Sequence, residues 1–300
     1  MKRETTLRIK GARHALGART WIMGVVNATP DSFFDGGIHS DPESAVAHGL
    51  RLAGEGADIL DIGGESSRPG SNPVTVEEEL RRILPVLHGL RARMAGLLSV
   101  DTTKPEVAEA ALAAGADIIN DISAARGDAR IFELAAAAGA GLVLMHMQGT
   151  PQTMQVMPRY GDVVAEVRAF LAERMAAALA SGVEAESIIL DPGIGFGKHL
   201  EDNLAVLNAV DDLASLGRPV LLGVSRKGFI GRILNAPPQD RLEGTIGAAI
   251  VGLVRGAHIL RVHDVKSVGQ AARVADAILA AGPAGGAQSP AMNGEPVDVQ

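Results

Sequence analysis

The chain has 300 residues, 47% hydrophobic and 21% charged, with 36 glycines and only 3% aromatics, so its core must be built from Ala, Val, Ile and Leu. The absence of cysteine excludes disulfides and thiolate metal sites, and a formal charge of −7 argues against a protein built to hold nucleic acid or an anionic membrane. No apolar run approaches the roughly 20 residues of a membrane span. The leading MKRETTLRIKG also lacks the apolar stretch of a signal peptide, so a soluble cytoplasmic protein is expected.

In chain order, residues 7–19 (LRIKGARHALGAR) alternate polar and apolar around glycines and predict a short hairpin. From residue 21 onward, short aliphatic runs alternate with Ala-rich helical stretches. The runs are WIMGVVN (21–27), DILDIGG (58–64), LLSVD (97–101), DIIND (117–121), GLVLMHM (141–147), SIILDPG (187–193), PVLLGVS (219–225) and HILRVHD (258–264). Eight helical stretches follow them, from DPESAVAHGLRLAGEG (41–56) to VKSVGQAARVADAILAAG (265–282), and several close on a glycine before the next strand. Eight βα units in roughly 260 residues predict an α/β fold, a (β/α)8 TIM barrel. A doubly wound open sheet is the competing architecture. It would place a Gly-rich dinucleotide loop after its first strand, where this chain reads NATPDSFFDGG. One domain is expected over residues 1–281, with the hairpin at about 7–19 and the barrel at about 21–281. Residues 282–300, GPAGGAQSPAMNGEPVDVQ, have no period and read as a disordered tail.

A barrel carries its active site at the C-terminal mouth, so the residue ending each run is the informative one. These are Asn27, Asp61, Asp101, Asn120 with Asp121, His146, Asp191, Ser225 with Arg226 and Lys227, and Arg261 with His263. Helix N-capping accounts for a single Asp or Asn, such as Asp121 or Asp264, but caps need no Lys, Arg or His. Taken together the strand ends predict a polar ligand site. Three loops support it: ESSRPGSNP (65–73), DPGIGFGKH (191–199) and GVSRKGFIGR (223–232). The last places Ser, Arg and Lys at a strand-to-helix turn, beside RVHD (261–264), where barrels usually hold phosphate. A positive corner of Arg226, Lys227, Arg261 and His263 in an acidic protein predicts an anionic or phosphorylated substrate; solvated surface cations are the alternative reading. The first strand ends in Asn27 rather than H-x-H and the eight histidines are scattered, which argues against catalytic zinc. A diphosphate held with Mg²⁺ needs few protein ligands, and one Asn at a strand mouth suffices.

The blocks VVNATPDSFFDGG, DIGGESSRPG, SVDTTKPEVAEAALAAGADIINDI, DPGIGFGK, GVSRKGFIG and RVHDV closely resemble the dihydropteroate synthases, over residues 21 to about 280. The resemblance implies a (β/α)8 barrel that joins para-aminobenzoate to 6-hydroxymethyl-7,8-dihydropterin diphosphate with Mg²⁺, giving 7,8-dihydropteroate and diphosphate on the folate pathway. It also implies that sulfonamides occupy the aminobenzoate site, and that the partners are these small molecules and a second copy of the chain. By the same resemblance, Asn27 matches the Mg²⁺ and diphosphate ligand, and Asp101, Asn120 and Asp191 match the deep pterin site. Lys227 matches the lysine beside both substrates, and Arg261 and His263 the diphosphate anchors. Ser66, Ser67, Arg68 and Pro69 match a mobile loop closing over aminobenzoate, and Phe196 and Lys227 the walls around that ring. Two positions depart from the family pattern. Ser67 stands where Thr is frequent, and Gly228 where some members carry Ser, leaving a backbone N–H to serve the aminobenzoate carboxylate. Asp31 and Asp35 on the first loop are candidates for facing a developing cation, or are turn-forming aspartates. A homodimer is expected through late helices such as 240–255, whose TIGAAIVGL face permits close packing. Two other readings are weaker. A methyltetrahydrofolate-dependent methyltransferase has no use for SSRP or for Arg261 and His263, and a non-catalytic pterin-binding relative would have lost some of these matches.

Overall fold

A computed structural model of the chain describes residues 4–29, 42–68 and 70–281. Asp31, Asp35, Pro69 and the tail 282–300 therefore lie outside the described residues.

Strands β1 (Thr5–Ile9) and β2 (Ala12–Leu16) pair antiparallel around Lys10 and Gly11, whose φ values of 48° and 81° are those of a tight hairpin turn. The hairpin thus begins and ends slightly earlier than the alternation predicts. Its inward Leu7, Ile9 and Leu16 pack with Trp21, Met23, Ile59, Ile118, Val143, Ile189, Leu221 and Ile259, which point inward from early positions in the barrel strands. An aliphatic plug therefore closes the bottom of the molecule.

The remaining strands are β3 (Trp21–Asn27), β4 (Ile59–Gly63), β5 (Leu97–Asp101), β6 (Ile118–Asp121), β7 (Gly141–Met145), β8 (Ile188–Asp191), β9 (Leu221–Leu222) and β10 (Ile259–Val262). They run parallel in the order β8-β7-β6-β5-β4-β3-β10-β9, and a bridge between Leu190 and Val220 joins the two ends into a cylinder. Each predicted run supplies one strand. The seventh shrinks to two residues because Pro219 lacks a ladder donor and the chain turns away after Leu222.

The helices are α1 (Pro42–Gly54), α2 (Val76–Arg91), α3 (Pro105–Ala113), α4 (Arg130–Ala138), α5 (Val163–Ala180), α6 (Leu200–Asn208), α7 (Val210–Ala214), α8 (Gly228–Leu234), α9 (Leu242–Val254) and α10 (Val265–Ala281). Local chemistry sets their ends. Thr75 caps α2 by accepting from the Glu78 N–H at 3.2 Å, Asp162 caps α5 by accepting from Ala165 at 3.0 Å, and Pro105 opens α3. Two differences from the sequence reading stand out. The stretch 201–213 breaks at Ala209 into α6 and α7, and α8 is an additional short helix, too brief and Gly-rich to show a period. The main core lies between the outer face of the strands and the helices, and is aliphatic apart from Phe132 and Phe229. No described helix is long and apolar enough to cross a membrane.

Candidate active site at the barrel mouth

The strand ends converge as the barrel requires. A cleft is lined by Asp101, Asn120, Asp191, Phe196, Lys227 and Arg261, together with Ser67, Ile122 and Met145. A second space shares Ser67, Asp101 and Ile122 with it and continues to Glu65, Glu79 and Lys104. Asn27, Ser66, Arg68, Gly228 and His263 do not line either space. Asn27 closes β3 half-buried, Arg68 is exposed beside Ser66, and a Cβ at Gly228 would meet nothing within 4 Å. The place of the missing serine side chain is therefore open.

Beneath the cleft is a polar network that the strand pattern does not reveal. Asp61, expected at a strand end, lies at the middle of β4 and is fully buried. It accepts from Arg261 Nε at 2.6 Å and from Asn120 Nδ2 at 2.9 Å, while Arg261 Nη2 donates to Asp101 at 2.7 Å. The guanidinium is thus held between two carboxylates, and Asn120 is oriented with one N–H already committed. The sequence places Asp61 among the strand-end residues of the site but carries no sign that it pairs with Arg261 and Asn120. Charge compensation also corrects the expected positive corner. Arg261 is neutralised by Asp61 and Asp101, and Arg226 by Asp264 at 2.7 Å. Burial, with the charges of Arg261 and Arg226, presses His263 down to about 4, so it is neutral at pH 7. Among the described corner groups Lys227 and His263 have no carboxylate salt bridge, and of these two only Lys227 is cationic at pH 7.

The acids and bases of the cleft are shifted chiefly by burial. Asp101 is pushed upward by desolvation, against the pull of Arg261 and with the repulsion of Asp61. Asp191 rises to about 6, although the Gly193 N–H donates to its Oδ1 at 2.7 Å and Lys227 and Arg261 oppose the shift. Lys227 falls to about 8, and its Nζ lies 4.0 Å from the Phe196 ring centroid. Arg226, immediately before it, adopts a left-handed φ of 56°, with its N–H donating to Thr245 Oγ1 at 2.9 Å, which fixes the turn that presents Lys227. Asp121 instead acts as a backbone cap: its two oxygens accept from Ser123 and Ala125 N–H at 2.7 and 2.6 Å.

Two loops frame the cleft. In 191–199, Gly193, Gly195 and Gly197 have φ of 68°, 84° and 60°. Asn203 Oδ1 accepts from Gly195 N–H at 2.6 Å, and the Tyr160 hydroxyl donates to the Gly197 carbonyl at 2.6 Å. A Cβ on Gly193 would overlap the His146 carbonyl oxygen. Gly193→Ala is therefore expected to cost about 2–3 kcal/mol, a fall in Tm of roughly 4–10 °C by calorimetry. In the SSRP loop, Glu65 accepts from Val74 N–H at 3.0 Å and from Lys104 Nζ at 2.5 Å, and Lys104 also pairs with Glu79. Both ends of that loop are thus tied to the rim beside Asp101. Sequence reasoning missed Glu65, Glu79 and Lys104.

Residues 23–263 match the pterin-binding enzyme family. The dihydropteroate synthase of Escherichia coli strain K12 is 45% identical over 260 residues, covering 87% of this chain and 92% of that protein. The chain belongs to the dihydropteroate synthase family. Solved members superimpose over most of it. The Xanthomonas albilineans synthase with 4-aminobenzoic acid is 49% identical with a TM-score of 0.85, covering 92% of this chain and 99% of that one. The Yersinia pestis synthase in complex with a sulfonamide drug is 40% identical with a TM-score of 0.87, covering 92% and 100%. The barrel is thus the family's architecture.

Proposed function

We propose that the chain condenses para-aminobenzoate with 6-hydroxymethyl-7,8-dihydropterin diphosphate, giving 7,8-dihydropteroate and diphosphate. The observation that carries this reading is the meeting, in one cleft of a dihydropteroate synthase family member, of Asp191, Asn120, Lys227, Phe196 and Arg261. Neither alternative uses that whole set.

The pyrimidine edge of a pterin presents adjacent N–H donors, and an ionised Asp191 accepts both in parallel charge-assisted bonds. Asn120 retains its amide oxygen and one N–H for the ring, and Asp101 adds a further acceptor in the same cleft. Arg261 has Nη1 left over after its bonds to Asp61 and Asp101, and with His263 it holds the diphosphate and stabilises charge growing there. The displacement is dissociative. The C–O bond to diphosphate breaks with its electron pair leaving on oxygen, the ring nitrogen lone pair stabilises the cationic methylene, and the amine of aminobenzoate attacks and loses its proton. An aromatic amine is neutral at pH 7, so no strong base and no covalent enzyme intermediate are required. Lys227 sits where both substrates meet, with Phe196 as the wall for the aminobenzoate ring. Ser66, Ser67 and Arg68 close over that ring and the Gly228 N–H serves its carboxylate; the roles expected for Asp31, Asp35 and Pro69 fall outside the described residues. A sulfonamide would compete for the same place.

Among the described residues no cluster of carboxylate and imidazole groups could cage a metal, while Asn27 offers a neutral amide oxygen at the mouth. That donor set suits Mg²⁺ carried by the diphosphate rather than a resident cage. Asn27 would hold it, and when bound it supplies charge neutralisation on the leaving group. A homodimer is supported by exposed Ile233, Leu234, Val251 and Val254 on α8 and α9, with Val274 and Ile278 on α10. A cytoplasmic location agrees with the cysteine-free composition.

Diphosphate release by the purified chain, dependent on both substrates, tests the assignment. Lys227→Ala is expected to lower kcat/KM by about 10²-fold or more. Undiminished turnover in that variant would remove Lys227 from the site.

A further inference from the structure

Lys198 is 3% exposed, a rare position for an ammonium group. Its Nζ donates to His146 Nδ1 at 2.9 Å, to the Gly193 carbonyl at 3.0 Å and to the Phe196 carbonyl at 3.1 Å. All three N–H bonds are thus matched, yet none goes to a carboxylate. A neutral side chain of the same length would avoid the desolvation cost of the charge, so the charge itself needs a reason. Its acceptors supply one. Gly193 is the residue whose N–H donates to Asp191 Oδ1, and Phe196 carries the ring against Lys227. His146 directly follows β7 and is held at 5.0 Å, edge-on, by Phe170.

We propose that Lys198 is a positioning residue for pterin recognition: its three N–H bonds tie the glycine loop, whose Gly193 N–H holds Asp191 Oδ1, to the exit of β7, and they set its ammonium across Gly193 from that carboxylate. This rests on the synthase reading of the cleft. The groups facing Asp191 are Lys198 and the Gly193 N–H from its own loop, Lys227 from the turn before α8, and Arg261 from β10. Those facing Lys198 are Asp191, Lys227, Asp202 of α6 and His146. Arg126 faces His146 from the loop after β6. Burial lowers Lys198 only to about 7, so it is cationic where Asp191 titrates, near 6. Burial and the charges of Lys198 and Arg126 press His146 to about 3, which keeps it neutral and an acceptor. Removing the Lys198 charge leaves desolvation less opposed, so Asp191 stays protonated to higher pH and loses its paired-acceptor form.

The test is the affinity for 6-hydroxymethylpterin, which has no diphosphate to titrate, between pH 5.5 and 8.5. In the wild type, binding should weaken on acidification through about 6. In Lys198→Met, and in Lys198→Gln, which keeps a donor for the carbonyls, that midpoint should move upward, because a cation opposing the desolvation of Asp191 is gone. Asn203→Ala loosens the same loop, since its side chain holds Gly195 N–H and the Lys198 carbonyl, but removes no charge. It should weaken binding and leave the midpoint in place. A wild-type midpoint in folded Lys198→Met or Lys198→Gln would overturn the inference. A wild type that binds no pterin at any pH would instead overturn the synthase reading.

Discussion

Arg261→Ala should lower the unfolding free energy by about 3–5 kcal/mol, because it leaves two carboxylates without their cation. Asp61 is fully buried and already has one oxygen, Oδ1, without a partner; losing the 2.6 Å bond from Arg261 leaves its charge with only the neutral Asn120 amide as a partner. Asp101 loses its bond from Nη2 as well. The deficit should depend on pH. With the guanidinium gone, the burial that already raises Asp101 is less opposed, so the folded variant prefers that carboxyl protonated. The variant should therefore come closest to wild type in acid and fall behind as pH rises through neutrality. Denaturant melts at pH 5 and pH 8 measure this, and an equal deficit at both would contradict the pairing. The same substitution should weaken dihydropterin diphosphate by about 30- to 100-fold, a loss of about 2–3 kcal/mol, and free pterin far less. Equal losses for the two ligands would remove Arg261 from the diphosphate subsite.

Asp191→Asn is expected to lower kcat/KM for dihydropterin diphosphate by about 10³-fold or more while the protein remains well folded. The amide is nearly isosteric and can still accept from Gly193 N–H, but it sets a donor against a pterin donor, a mismatch that buried sites reject strongly. Stability should move the other way. Asp191 is held above its unfolded value, so its contribution to stability is greatest in acid and declines as pH rises through about 6. At pH 7 the neutral amide escapes that cost, and the variant should melt at or above the wild-type temperature. A simultaneous loss of activity and rise in Tm would mark the carboxylate as kept for binding at the expense of folding. Retained kcat/KM would show that another group recognises the pyrimidine edge.

What could be read from the sequence was what repeats or terminates. Aliphatic runs of five to seven residues broken by glycine-closed helices specify parallel strands. The polar residue ending each run must sit at the mouth, which is how Asp101, Asn120, Asp191 and Lys227 were found together. What could not be read was pairing. Asp61 and Arg261 are 200 positions apart, and nothing in either neighbourhood signals the other. For that reason a corner rich in Arg and Lys looked positive, although Asp61, Asp101 and Asp264 compensate it. Lys198 was hidden differently. It follows a Gly-rich stretch that reads as a surface turn, and its burial arises only when that turn folds back onto His146. The short helix α8 was hidden by its length, since seven residues with two glycines carry no usable period.

The bond between Asp61 and Arg261 also bears on the order in which the molecule can be completed. Synthesis runs from the N-terminus, so β4 emerges long before β10, which pairs beside β3 to close the cylinder. Until residue 261 is available, a chain that packed β3 and β4 into a finished core would bury a carboxylate with no cation. That cost penalises premature closure on the ribosome and leaves the half-made sheet open. The last strand then supplies backbone partners and counter-charge in one step. Arg261, proposed above to anchor the leaving group, thus also serves as a latch of assembly, and a chain truncated ahead of it should stay aggregation-prone rather than settle into a smaller stable domain.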